Sequence, residues 1–160
     1  EIVFDELYDW SEHTNPDIKY YSGTAVYHKS FFLEKTDVGK PLVLDPGALA
    51  DVATVFVNGK EAGIIWTNPA ELDISSFVID GKNDLEIHVT NTWYNRVMYD
   101  SGSEAEETYT YVSQPYNFRS ETLLSGGLLG PVLHTHEKKP ATARIIEEKQ
   151  SRHSRYTQGK

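Results

Sequence analysis

Between Val52 and Thr90 the chain alternates twice in a way that a pleated sheet satisfies. Val52, Thr54 and Phe56 interleave with Ala53, Val55 and Val57, and β-branched and aromatic side chains of this kind fit a strand. Asn58-Gly59 follows, a pair that tolerates positive φ in a two-residue hairpin turn. Ala62 to Trp66 reads as the return strand, and Pro69 ends it because proline donates nothing to a ladder. Leu85, Ile87 and Val89 then share one face and Glu86, His88 and Thr90 the other, the pattern of a half-buried antiparallel strand.

A chain of 160 residues has room for one domain with its own core. Short strand-like segments punctuated by glycine and proline favour a β-sandwich or barrel over a helical fold. No apolar run reaches membrane-spanning length, so no membrane partner is expected. The first residue is Glu1 and no leader pattern follows, so either a leader was removed or the chain is a piece of a longer protein; strand-like sequence from Ile2 favours the second. The absence of cysteine excludes disulfides, a thiolate nucleophile and cysteine-ligated zinc. The net charge of −9 is unevenly placed: 8 basic against 21 acidic side chains through His136, then 7 against 3 in residues 137–160. An acidic body argues against a nucleic-acid partner, which requires a basic face.

Taken in order, Ile18 to Leu33 predicts one long strand, with Gly23 marking a bulge or a close backbone approach. Pro41 to Asp45 predicts a strand, and Pro46-Gly47 turns the chain into the hairpin. Asp100 to Thr108 reads as an exposed acidic loop, Tyr109 to Val112 as the start of an edge strand, and Val132 to His136 as a closing strand. The expected division is one β-sandwich over residues 1–136 and a charged basic tail over 137–160.

The ordered set Tyr21-Ser22-Gly23-Thr24-Ala25-Val26-Tyr27, Leu44-Asp45-Pro46-Gly47, Val55-Phe56-Val57-Asn58-Gly59-Lys60, Gly63-Ile64-Ile65-Trp66, Leu72-Asp73-Ile74 and Asn83 to Asn91 resembles the galactose-binding-like jelly roll of β-galactosidase-type glycoside hydrolases. Asn91-Thr92-Trp93-Tyr94-Asn95-Arg96, with Ser125-Gly126-Gly127-Leu128-Leu129-Gly130-Pro131-Val132, is similar to the C-terminal domain of large bacterial α-L-rhamnosidases of family 106. The resemblance covers Phe4 to about Leu133. It implies an all-β jelly-roll sandwich beside a catalytic barrel, in a bacterial enzyme, secreted or periplasmic, that degrades plant or algal polysaccharide. It also implies that the catalytic carboxylates lie in that barrel, so no catalytic residue is assigned here.

The residues agree with a non-catalytic role. A glycosidase needs two carboxylates across one sugar, whereas Asp45, Asp51, Asp73 and Asp84 fall at strand ends and turns, where Asp caps backbone groups. Ser22-Gly23 lacks the glycine-flanked elbow of a nucleophilic serine. No cofactor is required. Structural calcium is possible at Asp100 and Glu104, with Glu106 and Glu107 nearby, although no calcium-loop spacing is present; a solvated acidic loop is the competing reading. His134 and His136 share a strand face, as metal ligands or as two exposed imidazoles.

Sugar binding asks for an aromatic platform and planar hydrogen-bonding groups, because a pyranose has an apolar C–H face and a hydroxyl rim. Trp66 and Asn68 leave the hairpin, and Trp93, Tyr94, Asn95 and Arg96 follow a strand where a loop presents them; Tyr109, Tyr111 and Tyr116 are weaker candidates. The partners expected are a rhamnose- or galactose-containing glycan and the parent catalytic domain. Two alternatives stay open: both tryptophans belong to the core or a domain interface, or Arg96 pairs with an acidic residue and pins the loop. An exposed Trp93 or Trp66 beside Asn95 and Arg96 favours glycan binding, and both buried a scaffold that packs on the catalytic barrel; a third possibility is that the chain works only as part of the enzyme and contributes a loop to its active site.

Overall fold

The computed structural model describes residues 6–67, 69–102, 105, 107–113 and 122–136. After a 3₁₀ turn (Trp10–Glu12) come α1 (Pro16–Lys19), β1 (Thr24–Leu33), β2 (Val43–Asp45), β3 (Ala48–Leu49), β4 (Val52–Val57), β5 (Lys60–Ile65), β6 (Leu72–Asp73), β7 (Gly81–Thr90), α2 (Tyr94–Asp100), β8 (Leu128–Gly130) and β9 (Leu133–Thr135). Antiparallel strands form a sheet in the order β1-β7-β4-β5, a second in the order β6-β2-β9, and a β3-β8 pair. The fold is the all-β sandwich expected.

Alternation sets the register. Ala53 lies opposite Val89, Val55 opposite Ile87 and Val57 opposite Leu85, so both strands bury the same face. Against that face pack Leu42, Leu44 and Ile74 from the β2 and β6 side, with Leu128 and Trp10 closing one end. Burying each large aliphatic side chain contributes about 1.5–3 kcal/mol. A one-residue slip would turn the entire set to solvent, so the register is strongly specified. Asn58 (φ 51°) and Gly59 (φ 75°) make the hairpin turn between β4 and β5 with both residues at positive φ.

Three expectations are corrected. The segment expected as one strand from Ile18 is split, with α1 over Pro16–Lys19 and β1 beginning only at Thr24. Asn15 caps α1 by accepting from the Asp17 amide at 2.9 Å, and Pro16 has the φ that the first helical turn needs. Gly23 therefore precedes the strand, where its N–H donates to Asn91 Oδ1 at 2.9 Å. The second correction concerns Tyr94 to Arg96, which lie in helix α2 and not in a presenting loop. Third, Tyr109 to Val112 form no strand, and the Asp100 carboxylate is interior, its side chain 1% exposed. The closing strand is present as β9, and residues 137–160 fall outside the described residues.

Candidate functional site

The register gathers four strand ends. Val52 and Thr24 both lie opposite Thr90, and Ile65 lies opposite Ala53, so β1 and β4 begin where β5 and β7 end. Trp66 and Trp93 therefore leave the sheet at the same end, on strands separated only by β4. Neither belongs to the core: Trp66 is 73% exposed and Trp93 56%. Asn68 lies outside the described residues.

Trp10 forms the floor of this end. Its indole N–H donates to the Tyr27 hydroxyl at 2.7 Å, the two rings stack nearly parallel, and Tyr21 meets the indole edge-on. The Ser125–Gly127 segment lies across it. The Trp10 amide donates to the Gly126 carbonyl at 3.0 Å, and an added Cβ on Gly127 (φ 95°) would stand 2.5 Å from indole atoms. Asp9 accepts hydrogen bonds from the Ser125 hydroxyl, the Gly126 amide, and the Ser11 amide and hydroxyl. Asp51 accepts from the Gly127 amide at 2.9 Å. Burial pushes the Asp9 carboxyl up, but its four donors outweigh that and hold it below the ordinary value. For Asp51, burial prevails over its single Gly127 bond, and the Asp9 charge adds to the upward shift. Paired carboxylates with opposite shifts can mark acid–base chemistry. Here the two carboxylates hold the Ser125 hydroxyl and the Gly126 and Gly127 amides, so the arrangement seals the loop. Sequence reasoning missed this cluster, and its only local signal is Gly126-Gly127.

Beyond Trp93 the candidate residues turn inward. The Asn95 side chain donates to the Leu124 carbonyl at 2.7 Å and accepts from the Leu124 amide at 2.8 Å, so both ends of its amide hold backbone. Arg96 is buried and pairs with Asp100 at 2.6 Å, one helical turn on, while donating to the Glu107 carbonyl at 2.7 Å. Its guanidinium carbon lies 4.3 Å from the Tyr109 ring centre and 5.3 Å from that of Tyr99. The alternative in which Arg96 pairs with an acidic residue and pins the loop is the arrangement observed. Tyr94 is half-buried.

Asp100 Oδ2 accepts from the Tyr109 and Thr110 amides and the Thr110 hydroxyl. Burial raises its carboxyl, but Arg96 and these donors together carry it below the ordinary value. Glu104 lies outside the described residues, and among the described residues no three His, Asp or Glu side chains group as metal ligands. His134 packs on Phe31, whereas His136 donates through Nδ1 to the Pro41 carbonyl at 3.2 Å.

The antiparallel sandwich is consistent with a galactose-binding-like domain of the kind carried by glycoside hydrolases, and the family match identifies it as one. Residues 8–121 match the glycosyl hydrolases family 2 sugar binding domain, and the chain belongs to that family. A "Putative beta-glucuronidase" of Formosa agariphila is 36% identical over 157 residues, covering 82% of this chain and 14% of that protein. The structure of a rhamnosidase from Novosphingobium sp. PP1Y superimposes with a TM-score of 0.72 at 37% identity, covering 78% of this chain and 12% of that one. A Lactobacillus rhamnosus beta-glucuronidase matches at a TM-score of 0.46 and 30% identity, over 51% of this chain and 14% of that one. The chain thus spans 12–14% of the length of these larger hydrolases.

Proposed function

We propose that the chain is a non-catalytic glycan-binding accessory domain of a rhamnosidase-like enzyme, holding rhamnose- or galactose-containing polysaccharide for a catalytic domain elsewhere in the same polypeptide. The observation that carries this is Trp93, which stands 56% exposed at the end of β7 where a core role would have buried it. An exposed indole beside polar loop backbone suits the apolar face of a pyranose. The match to a solved rhamnosidase supports the sugar class. A polymeric substrate would place the parent enzyme outside the cytoplasm, secreted or periplasmic.

The test is a titration with rhamnose, galactose and plant or algal oligosaccharides, with and without calcium, followed by tryptophan fluorescence. Trp10 is buried, so a response would report on Trp66 or Trp93. A saturable change lost in Trp93→Ala, with the variant still folded, supports the proposal. A flat response across the panel overturns it.

A second reading has its own observation. Ile64 and Val52, 53% and 45% exposed, occupy the outer face of the main sheet next to Trp66. That apolar corner suits packing against the catalytic part of the parent protein. It predicts that Trp66→Ala leaves glycan affinity unchanged and weakens association with that part.

A further inference from the structure

Between α1 and the segment after α2 lies an open cavity of about 350 Å³, lined by Asn15, Asp17, Arg96, Tyr99, Glu107 and Tyr109 among others. Tyr20 stacks on Tyr99 with ring centres 4.1 Å apart and fixes the two helices against each other. Tyr109 is 66% exposed, and its hydroxyl donates to Glu107 at 2.8 Å, which orients the ring and the carboxylate together. Arg96 brings a buried Nε–H that has no hydrogen-bond partner among the described residues.

We infer that this cavity is a subsite for a single neutral pyranose ring and that it rejects uronic acids and other acidic sugars. The inference rests on the glycan-binding role proposed above and adds a location and a charge preference. The volume is at the small end for ligand pockets, which suits one ring. The Tyr109 face opposite the Arg96 guanidinium offers a platform for the C–H face of the sugar. Asp17, Glu107 and the Asn15 amide line the cavity and offer acceptors and donors for its hydroxyls.

Charge selects against acidic ligands. The Arg96 charge is already matched by Asp100, leaving Asp17 and Glu107 as the net charge among the described lining residues. The neighbouring cation, Lys19, sits 5.8 Å from the Tyr20 ring centre and does not line the cavity. A sugar carboxylate would therefore meet like charge.

The matched probes are D-galactose and D-galacturonate, which differ only at C6, with L-rhamnose as a deoxy sugar, each titrated into the full chain and followed by amide NMR. Neutral sugars should shift resonances around residues 15–17, 96–99 and 107–109, and galacturonate should bind about tenfold more weakly. Tyr109→Ala, at an exposed position, should raise the neutral-sugar Kd by about fivefold or more. The double variant Asp17→Asn, Glu107→Gln should close the gap between the two probes. Neutral sugar binding that leaves these resonances still and ignores Tyr109→Ala overturns the subsite while the glycan-binding role stands. Equal or tighter galacturonate binding overturns the charge preference, and no binding by any sugar overturns both.

Discussion

Replacing Arg96 by Met tests whether the helix–loop junction beyond Trp93 is held by charge or by packing. Methionine keeps an unbranched stem to cover the same apolar surface and removes the cation. It leaves Asp100, with a side chain 1% exposed, without its counter-ion at 2.6 Å. Removing one partner of a buried pair costs about 3–5 kcal/mol. Loss of the bond to the Glu107 carbonyl and of the contact with the Tyr109 ring adds to this, while the three donors remaining on Asp100 Oδ2 subtract from it. The net expectation is about 3 kcal/mol at neutral pH, or a Tm lower by about 6–12 °C for a chain of this size.

The pH dependence separates the causes. In the native protein the Asp100 carboxyl lies below its ordinary 3.8, so its stabilisation is present above that value and is lost as pH falls through the lower folded one. In the variant the lowering by Arg96 is gone and the carboxyl moves upward from its native position, so protonation relieves the penalty sooner as pH falls. The gap between the two proteins should therefore narrow towards about pH 3 in guanidinium unfolding series. A loss below about 1 kcal/mol would mean that the pair behaves like an exposed one. A gap as wide at pH 3 as at neutrality would refute the electrostatic account.

Other outcomes follow from the same geometry. Gly127→Ala should destabilise by about 2–5 kcal/mol, since its Cβ meets Trp10 at 2.5 Å and its φ of 95° disfavours a side chain; loss of the Trp10 near-ultraviolet signal would report it. Asn95→Ala should cost about 2–4 kcal/mol by leaving the Leu124 amide and carbonyl unpaired, measurable in thermal melts. Asp51 has a raised carboxyl pKa, so the folded state holds its proton longer than the unfolded one, and stability falls as pH rises from about 3.8 through the folded value. Asp51→Asn keeps an acceptor for Gly127 and should remove that decline, matching the native protein in acid and equalling or exceeding it at neutrality; a steeper decline would contradict the assignment.

The strands were legible because their evidence is local. Ala53, Val55 and Val57, and likewise Leu85, Ile87 and Val89, carry the inward face within a few residues, and Asn58-Gly59 names its own turn. The helices were not. α2 has seven residues, too few to persist alone, and depends on Leu124, 29 positions from Asn95. The spacing of Arg96 and Asp100 was visible, but nothing local distinguishes an internal ion pair from a loop that offers the same groups to a sugar. Of the two readings of Gly23, a bulge or a close backbone approach, the second is observed: the Asn91 amide, 68 positions away, donates to the Gly23 carbonyl at 3.2 Å. That Trp66 leaves its hairpin at a position similar to that of Trp93 was legible in the sequence, but their exposure was not, since each position taken alone fits a core aromatic equally well.

The bond from Ser125 to Asp9 spans 116 positions. At a synthesis rate of about 5–20 residues per second, Ser125 follows Asp9 by roughly 6–23 s. During that interval all four strands of the main sheet have been made, yet the segment that covers the Trp10 indole does not exist. The nascent domain is thus a vessel waiting for its lid, with apolar surface open to neighbouring chains and to chaperones. A message cut short before Gly127 would release that unsealed intermediate, a client for quality control and not a smaller working domain.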